Sequence, residues 1–236
     1  MAITNNIIVY DFETGSTNPL KCQPLQLASV IVDAKRLEIV KGSEFNSLIN
    51  YLEDKDAEDA GLDPVKKDAL EKNKLDISEL KKAPSPEAVW KMYVEYVKNY
   101  NKKGINGTSW DAPVRSGFNL DFDDTICRRL CSNYGPKPEQ NEIPLYHPFQ
   151  KIDILELVIS MFNNHQMSKS NRVNFDTVRE YMGYKKEGAH NAMIDVIQSA
   201  DLLIRFLKLF RNLINGEINL PIGKKIKFKG CVNGQV

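Results

Sequence analysis

Residues 7–15 read IIVYDFETG. Ile7 to Tyr10 is β-branched and aromatic, the composition of a buried strand. Asp11 and Glu13 follow directly. Alternation along a strand puts both carboxylates on one face, with Phe12 on the other. Thr14 and Gly15 close the segment with a hydroxyl and a residue lacking a side chain, which leaves room for another molecule beside the acids. Carboxylates clustered at the end of a buried strand are costly unless something compensates them. A divalent cation is the compensation that suits two adjacent carboxylates. Alone, a D-x-E is a weak signal; an acidic strand end fraying into a turn explains it as well.

Outward from this strand, Leu25 to Asp33 (LQLASVIVD) predicts a second strand and Leu37 to Phe45 a third. The intervening Asp33-Ala34-Lys35-Arg36 fits a hairpin turn, although it lacks a glycine. The chain should therefore begin as an antiparallel meander. Tyr51 to Lys82 is rich in Asp, Glu and Lys and predicts two short helices, over 63–72 and 77–80. Ala83-Pro84-Ser85-Pro86 is a stop, after which Ser85 can cap a helix with Pro86 at its first position. Val89, Tyr93, Tyr96, Val97 and Tyr100 recur at helical spacing, giving an amphipathic helix over 86–100. Lys102 to Pro113 reads as a loop and Val114 to Asn119 as a short strand.

Asp121 to Tyr134 predicts a helix with Ile126, Cys127, Leu130 and Cys131 facing inward. Gly135 to Pro148 reads as an insertion loop. Ile152 to Phe162 starts as a strand and becomes a helix near Leu155. Asn163 to Asn171 is polar. Phe175 to Met182 is a helix closed by Gly183. Asn191 to Ile214 is the longest helix, apolar around much of its circumference and so buried. Residues 216–236 contain PIGKKIKFKG, a basic tail or small hairpin. The pattern is α/β with a mixed sheet, in one domain over residues 1–215.

Two later segments place acids beside apolar sequence, GFNLDFDD at 117–124 and AHNAMIDV at 189–196. Asp123 falls early in a helix, where acids are favoured by the helix dipole alone. Asp121 and Asp124 fit the plain role of capping or solvated residues. His190 and Asp195 are five apart, a spacing that does not place two side chains on a common helical stripe. His190 therefore belongs to the preceding loop or first turn, with Gly188 lending that loop mobility. Taken singly, His190 is an incidental surface histidine.

The bulk numbers exclude little. The 236 residues carry a formal net charge of +1, so no global field recruits nucleic acid and any basic surface must be local. Cys22, Cys127, Cys131 and Cys231 form no C-x-x-C pair and read as reduced thiols in a cytoplasmic protein. The apolar run near the N-terminus is too short for a signal peptide or a membrane span.

The three acidic segments together resemble the DEDDh 3′–5′ exonucleases, relatives of the bacterial polymerase proofreading epsilon subunit. IIVYDFETG is similar to the family's first motif, D-x-E-T. GFNLDFDD resembles its second, usually H-N-x-x-F-D, with Asn119, Phe122 and Asp123 matching. AHNAMIDV resembles its third, H-x-A-x-x-D, through His190, Ala192 and Asp195. The order fits over about residues 6 to 210.

The resemblance implies a ribonuclease H-like fold with a five-stranded mixed sheet flanked by helices. It implies a two-ion site for Mg²⁺ or Mn²⁺. Asp11, Glu13 and Asp195 would hold one ion, while Asp11 and Asp123 would serve the other. His190 would be the general base. Thr14 and Asn119 would contact the substrate terminus, and Leu75 would pack on the terminal base. The implied reaction releases nucleoside 5′-monophosphates from a free 3′ end, with single-stranded DNA the favoured substrate. Proofreading or DNA processing beside a DNA polymerase partner is the implied role. The alternatives are the same chemistry on RNA, or a non-catalytic nucleic-acid-binding partner of a polymerase. Phe118 stands where the family commonly has His, Lys74 where many relatives have Gly, and the loop over 133–151 is longer than usual.

Overall fold

The computed structural model describes residues 5–103, 108–137, 143–162, 173–185 and 190–214. The expectations for the loop around Gly188, for Asn163 to Asn171 and for the basic tail lie outside these residues. The strand β1 (Ile7–Thr14) is the centre of the architecture. It pairs antiparallel with β2 (Pro24–Asp33), with Ile7 opposite Val32 and Glu13 opposite Gln26. On its other side it runs parallel to β5 (Val114–Gly117), and β5 runs parallel to β6 (Lys151–Asp153). The strand β2 also carries β3 (Glu38–Ile39) and β4 (Phe45–Leu48), both antiparallel.

The sheet order is β3-β2-β1-β5-β6, with β4 added to β2, so six strands are present where five are expected. The extra strand arises because the span 37–45 is broken. Gly42 takes φ 76°, and Ser43 turns inward so that its Oγ accepts a 3.0 Å bond from the N–H of Ile31. This inserts a bend between β3 and β4.

Alternation along β1 divides the core into two layers. Ile7 and Val9 face α6 (Ile154–Phe162), α7 (Phe175–Met182) and α8 (Ala192–Ile214). Ile8, Tyr10 and Phe12 face α4 (Pro86–Lys98) and α5 (Leu120–Tyr134). The result is a helix–sheet–helix sandwich of ribonuclease H-like α/β type. The first layer is mainly aliphatic, with Phe162 and Phe206 among its buried residues. The second is rich in aromatics, with Trp90 and Tyr93 of α4 fully buried and Trp90 Nε1 donating to Gly135 O at 2.7 Å. Burying each such side chain stabilises by roughly 1.5–3 kcal/mol or more.

The helix starts follow their capping chemistry. Ser85 Oγ accepts from the N–H of Ala88 at 3.3 Å, and Asn174 Oδ1 accepts from the N–H of Thr177 at 2.8 Å. Gly183 closes α7 with φ 72°. Between β4 and α4 lie α1 (Asp54–Asp59), α2 (Lys67–Asn73) and α3 (Ile77–Leu80). The first of these is an addition to the expected pair. Lys74 ends α2 in the left-handed region, φ 54°, which is why a glycine suits this position. Cys22, Cys127 and Cys131 are buried free thiols. No helix among the described residues is long and apolar enough to cross a membrane.

Candidate active site

Asp11 and Glu13 continue the row begun by Ile7 and Val9, and so face α8. There Asp195 lies one turn inside the helix. The ligand atoms of Asp11, Glu13 and Asp195 come within 4.8 Å of one another. The register of β1 against β2 slips between Glu13 and Thr14. Such a bulge ends regular pairing just past the acids. The start of α8 is fixed from two sides. Asn191 Oδ1 accepts from the N–H groups of Met193 (3.1 Å) and Ile194 (3.4 Å), and Ala192 N–H donates to Gln26 Oε1 at 3.4 Å. Gln26 is the partner of Glu13 across the sheet, so β2 carries α8 into register with β1.

Asp123 approaches from the other layer. It is 3% exposed, and its Oδ1 accepts the backbone N–H of Phe12 at 3.1 Å. It lies outside the three-carboxylate group but beside Asp11, on which its charge acts more strongly than that of any other neighbour. Its helix is anchored by Asp153 at the end of β6, whose carboxylate accepts the N–H groups of Asn119 (3.2 Å) and Leu120 (2.9 Å). Asn119 takes a left-handed conformation, φ 62°, and lines the cleft above the acids.

The neighbouring acids part from the solvated role expected of them in one case. Asp121 is exposed and pairs with Lys151 at 2.6 Å. Asp124 is fully buried; it accepts from Tyr10 Oη at 2.5 Å and from Arg115 Nε at 2.9 Å. A buried arginine and a buried tyrosine hydroxyl both require a partner, and this one carboxylate serves both.

The electrostatics are those of a cluster short of positive charge. Burial, then the charges of Asp123, Glu13 and Asp195, push Asp11 well above the usual carboxylate range. Burial also raises Asp123, against the stabilising bond from Phe12. Burial and then Asp195 lift Glu13 to about 7, with Lys72 and Arg179 acting against the rise. Burial raises Asp195 as well, although Arg179 opposes it. Three hard oxygen donors this close, each disfavoured as a free anion, fit a divalent cation such as Mg²⁺ or Mn²⁺.

His190 stands at the rim, φ 65°, with its Nε2 3.7 Å from Asp176 Oδ2. Partial burial lowers its pKa, partly countered by Asp176. Together with Asp11, Glu13, Asn119 and Asp195 it lines an open cleft of about 440 Å³. Thr14 and Leu75 are not among the described residues lining that cleft. Thr14 Oγ1 donates to Ser16 O at 2.8 Å, and Leu75 packs on the cluster of Leu25, Leu70 and Leu80. Gly15 also serves the fold: a Cβ there would meet Val65 Cγ2 at 2.8 Å. The cleft adds Lys72, Phe118, Phe175, Asp176 and Arg179 to the residues expected from the motifs. The one sequence signal for Arg179 is a cation on the apolar stripe of α7, four residues after Phe175.

No protein-family model and no curated protein sequence matches the chain. Solved structures do. Exonuclease I of Escherichia coli, in a zinc-bound complex with single-stranded DNA, superposes with a TM-score of 0.64 at 17% identity. The match covers 89% of this chain and 42% of that one. Exonuclease I of Methylocaldum szegediense gives 0.65 at 17% identity, over 90% of this chain and 43% of that one. Cell-death related nuclease 4 gives 0.60 at 15% identity, over 87% and 64%. The chain thus spans less than half the length of these exonuclease I chains. At such identities the likeness is one of fold: this chain is built on the same ribonuclease H-like framework as these nucleases.

Proposed function

We propose that this chain is a metal-dependent 3′–5′ exonuclease that removes nucleoside 5′-monophosphates from a free 3′ end, single-stranded DNA being the favoured substrate. The observation that carries the reading is the convergence of Asp11, Glu13 and Asp195 within 4.8 Å, from two elements far apart in sequence. The superposed chains named above are nucleases, and solved forms of exonuclease I include complexes with single-stranded DNA and with dA16 and dT13 oligonucleotides. A nuclease of this polarity would serve proofreading or DNA processing.

Asp11, Glu13 and Asp195 would hold one ion, and Asp11 with Asp123 would serve a second. When bound, the two ions supply activation of the attacking water and charge stabilisation at the leaving 3′ oxygen. The protein's own groups do the rest. Partial burial lowers the pKa of His190 and so favours the neutral imidazole, the form that can accept the proton of the attacking water. Asp176 Oδ2 stands 3.7 Å from its Nε2 and acts on the ring through its charge. Asn119 at the α5 start and Lys72 at the rim border the path of the terminal nucleotide. Phe118 and Phe175, with ring centroids 4.7 Å apart, form an apolar wall on which a base can rest.

The test is hydrolysis of matched 5′-labelled DNA and RNA oligonucleotides in Mg²⁺, Mn²⁺ or EDTA. The expected result is stepwise shortening from the 3′ end, faster on DNA and abolished by EDTA. Activity in EDTA would overturn the metal site, and faster shortening of RNA would overturn the substrate preference.

A further inference from the structure

Arg179 is 1% exposed, although it lies on α7 beside an open cleft. A guanidinium so deeply buried has to be compensated on its donors. Its Nη2 is ion-paired with Asp195. Its Nη1 donates to Asp176 Oδ1 at 2.7 Å, and its Nε donates to Gln198 Oε1 at 2.7 Å. Its flat face lies 4.0 Å from the centroid of Phe175, which rests in turn on Phe118. Edge and face are both fixed, so this cation is part of the built site.

Arg179 pairs with the same carboxylate that completes the three-acid group. It also opposes the rise in pKa at Asp11, Glu13 and Asp195. One buried positive charge therefore already serves the three acids of the group before any ion arrives.

Building on the reading of Asp11, Glu13 and Asp195 as a metal site, we propose that Arg179 is a resident counter-cation that competes with the divalent ion for Asp195. It stabilises the metal-free cluster and thereby weakens metal binding. A divalent charge entering beside the guanidinium repels it. Asp176, whose side chain is 54% exposed, is the second carboxylate toward which Arg179 can then shift. The trade is a fold that keeps its acids together without metal, at the expense of affinity for the metal.

The experiment measures Mn²⁺ binding directly on the full chain, by calorimetry and by the electron paramagnetic resonance signal of free Mn²⁺, beside thermal melts in EDTA. Arg179→Gln removes the charge while keeping a polar side chain. It should bind Mn²⁺ about tenfold more tightly, melt at a lower temperature in EDTA, and gain more from Mn²⁺ than the wild type. Arg179→Lys keeps the charge and should stay within about threefold of the wild-type affinity. Equal or weaker Mn²⁺ binding by Arg179→Gln would overturn the proposal and leave Arg179 as a brace for Asp195. Asp176→Asn, at a half-exposed position, gives a reading that does not depend on the Gln variant folding. It leaves Arg179 to Asp195 and should weaken Mn²⁺ binding severalfold; unchanged affinity would count against the competition. Asp11→Asn separates the two levels. If the wild type binds no Mn²⁺ that Asp11→Asn abolishes, the metal reading falls and this proposal with it. If such binding is present but insensitive to Arg179→Gln, this proposal alone falls.

Discussion

Glu13→Gln should stabilise the metal-free protein, and the size of the gain should depend on pH. Glu13 is 8% exposed, and burial followed by the charge of Asp195 lifts its pKa to about 7. The folded chain therefore holds this proton more tightly than the unfolded chain, in which the carboxyl titrates near 4.5. Below that value both states are protonated and Glu13 costs nothing. As pH rises from about 4.5 through about 7, the unfolded state ionises first and folding loses free energy. The full loss is about 3 kcal/mol from a shift of this size. An amide has no proton to lose.

In EDTA at pH 8, Glu13→Gln should therefore be more stable than the wild type by up to about 3 kcal/mol, a rise in Tm of roughly 6–12 °C for a domain of this size. At pH 4.5 the two should melt together. With saturating Mg²⁺ the order should reverse, because the carboxylate becomes a ligand and the amide is a poorer one. Urea or thermal melts across this pH range, in EDTA and in Mg²⁺, measure all three. Equal stability at pH 8 in EDTA, or a gain of the same size at both pH values, would refute the claim that a destabilised anion sits at this position.

Asp11→Asn should cut hydrolysis by orders of magnitude while far-ultraviolet circular dichroism stays that of the wild type; full metal-dependent activity in this variant would show the site to be elsewhere. His190→Ala should leave Mn²⁺ and DNA binding intact but slow the single-turnover rate. Because burial lowers the pKa of His190, the wild-type rate should fall only when pH drops below the ordinary histidine range, and that limb should change in the variant. Superimposable profiles would remove His190 from the chemical step. A covalently closed single-stranded circle should resist digestion that consumes its linear form; equal rates would exclude an end-directed reaction. Lys74→Gly should raise stability by up to about 1 kcal/mol in a urea melt, since it relieves the left-handed backbone at φ 54°.

The parts of the fold that follow from local rules are visible in the chain. IIVYDFETG carries its own strand and its own facing, because period-two alternation with Ile7 and Val9 dictates where Asp11 and Glu13 point. The cap at Ser85 and the stop at Gly183 follow from local hydrogen-bonding and backbone chemistry that needs no tertiary context. The break between β3 and β4 is different. It depends on Ser43 bonding to the backbone of Ile31, a contact made only once β2 is in place. Asp124 misleads for the same reason. In sequence it is one acid among several at a helix start, and its burial is set by Tyr10 and Arg115, distant residues brought to it by β1 and β5. The carboxylates of the site are legible because their spacing is a local pattern. Arg179 is legible only as an anomaly, a charge on an apolar stripe, and its partner Asp195 becomes apparent only when α7 and α8 are seen side by side.

The cluster draws Asp11 and Glu13 from the first strand and Asp195 from the last described helix, so the order in which the ribosome delivers these segments matters. For most of translation the strand acids exist without their partner, and no complete cluster can form. The face of the sheet made by Ile7, Val9, Val30 and Val32 lacks its main cover over the same interval, because α8 packs on β1 and β2. On the proposed reading, the activity therefore switches on only when residues 192–214 dock. A nascent chain stopped short of that point would be both inert and sticky, a substrate for chaperones before it could act on anything else.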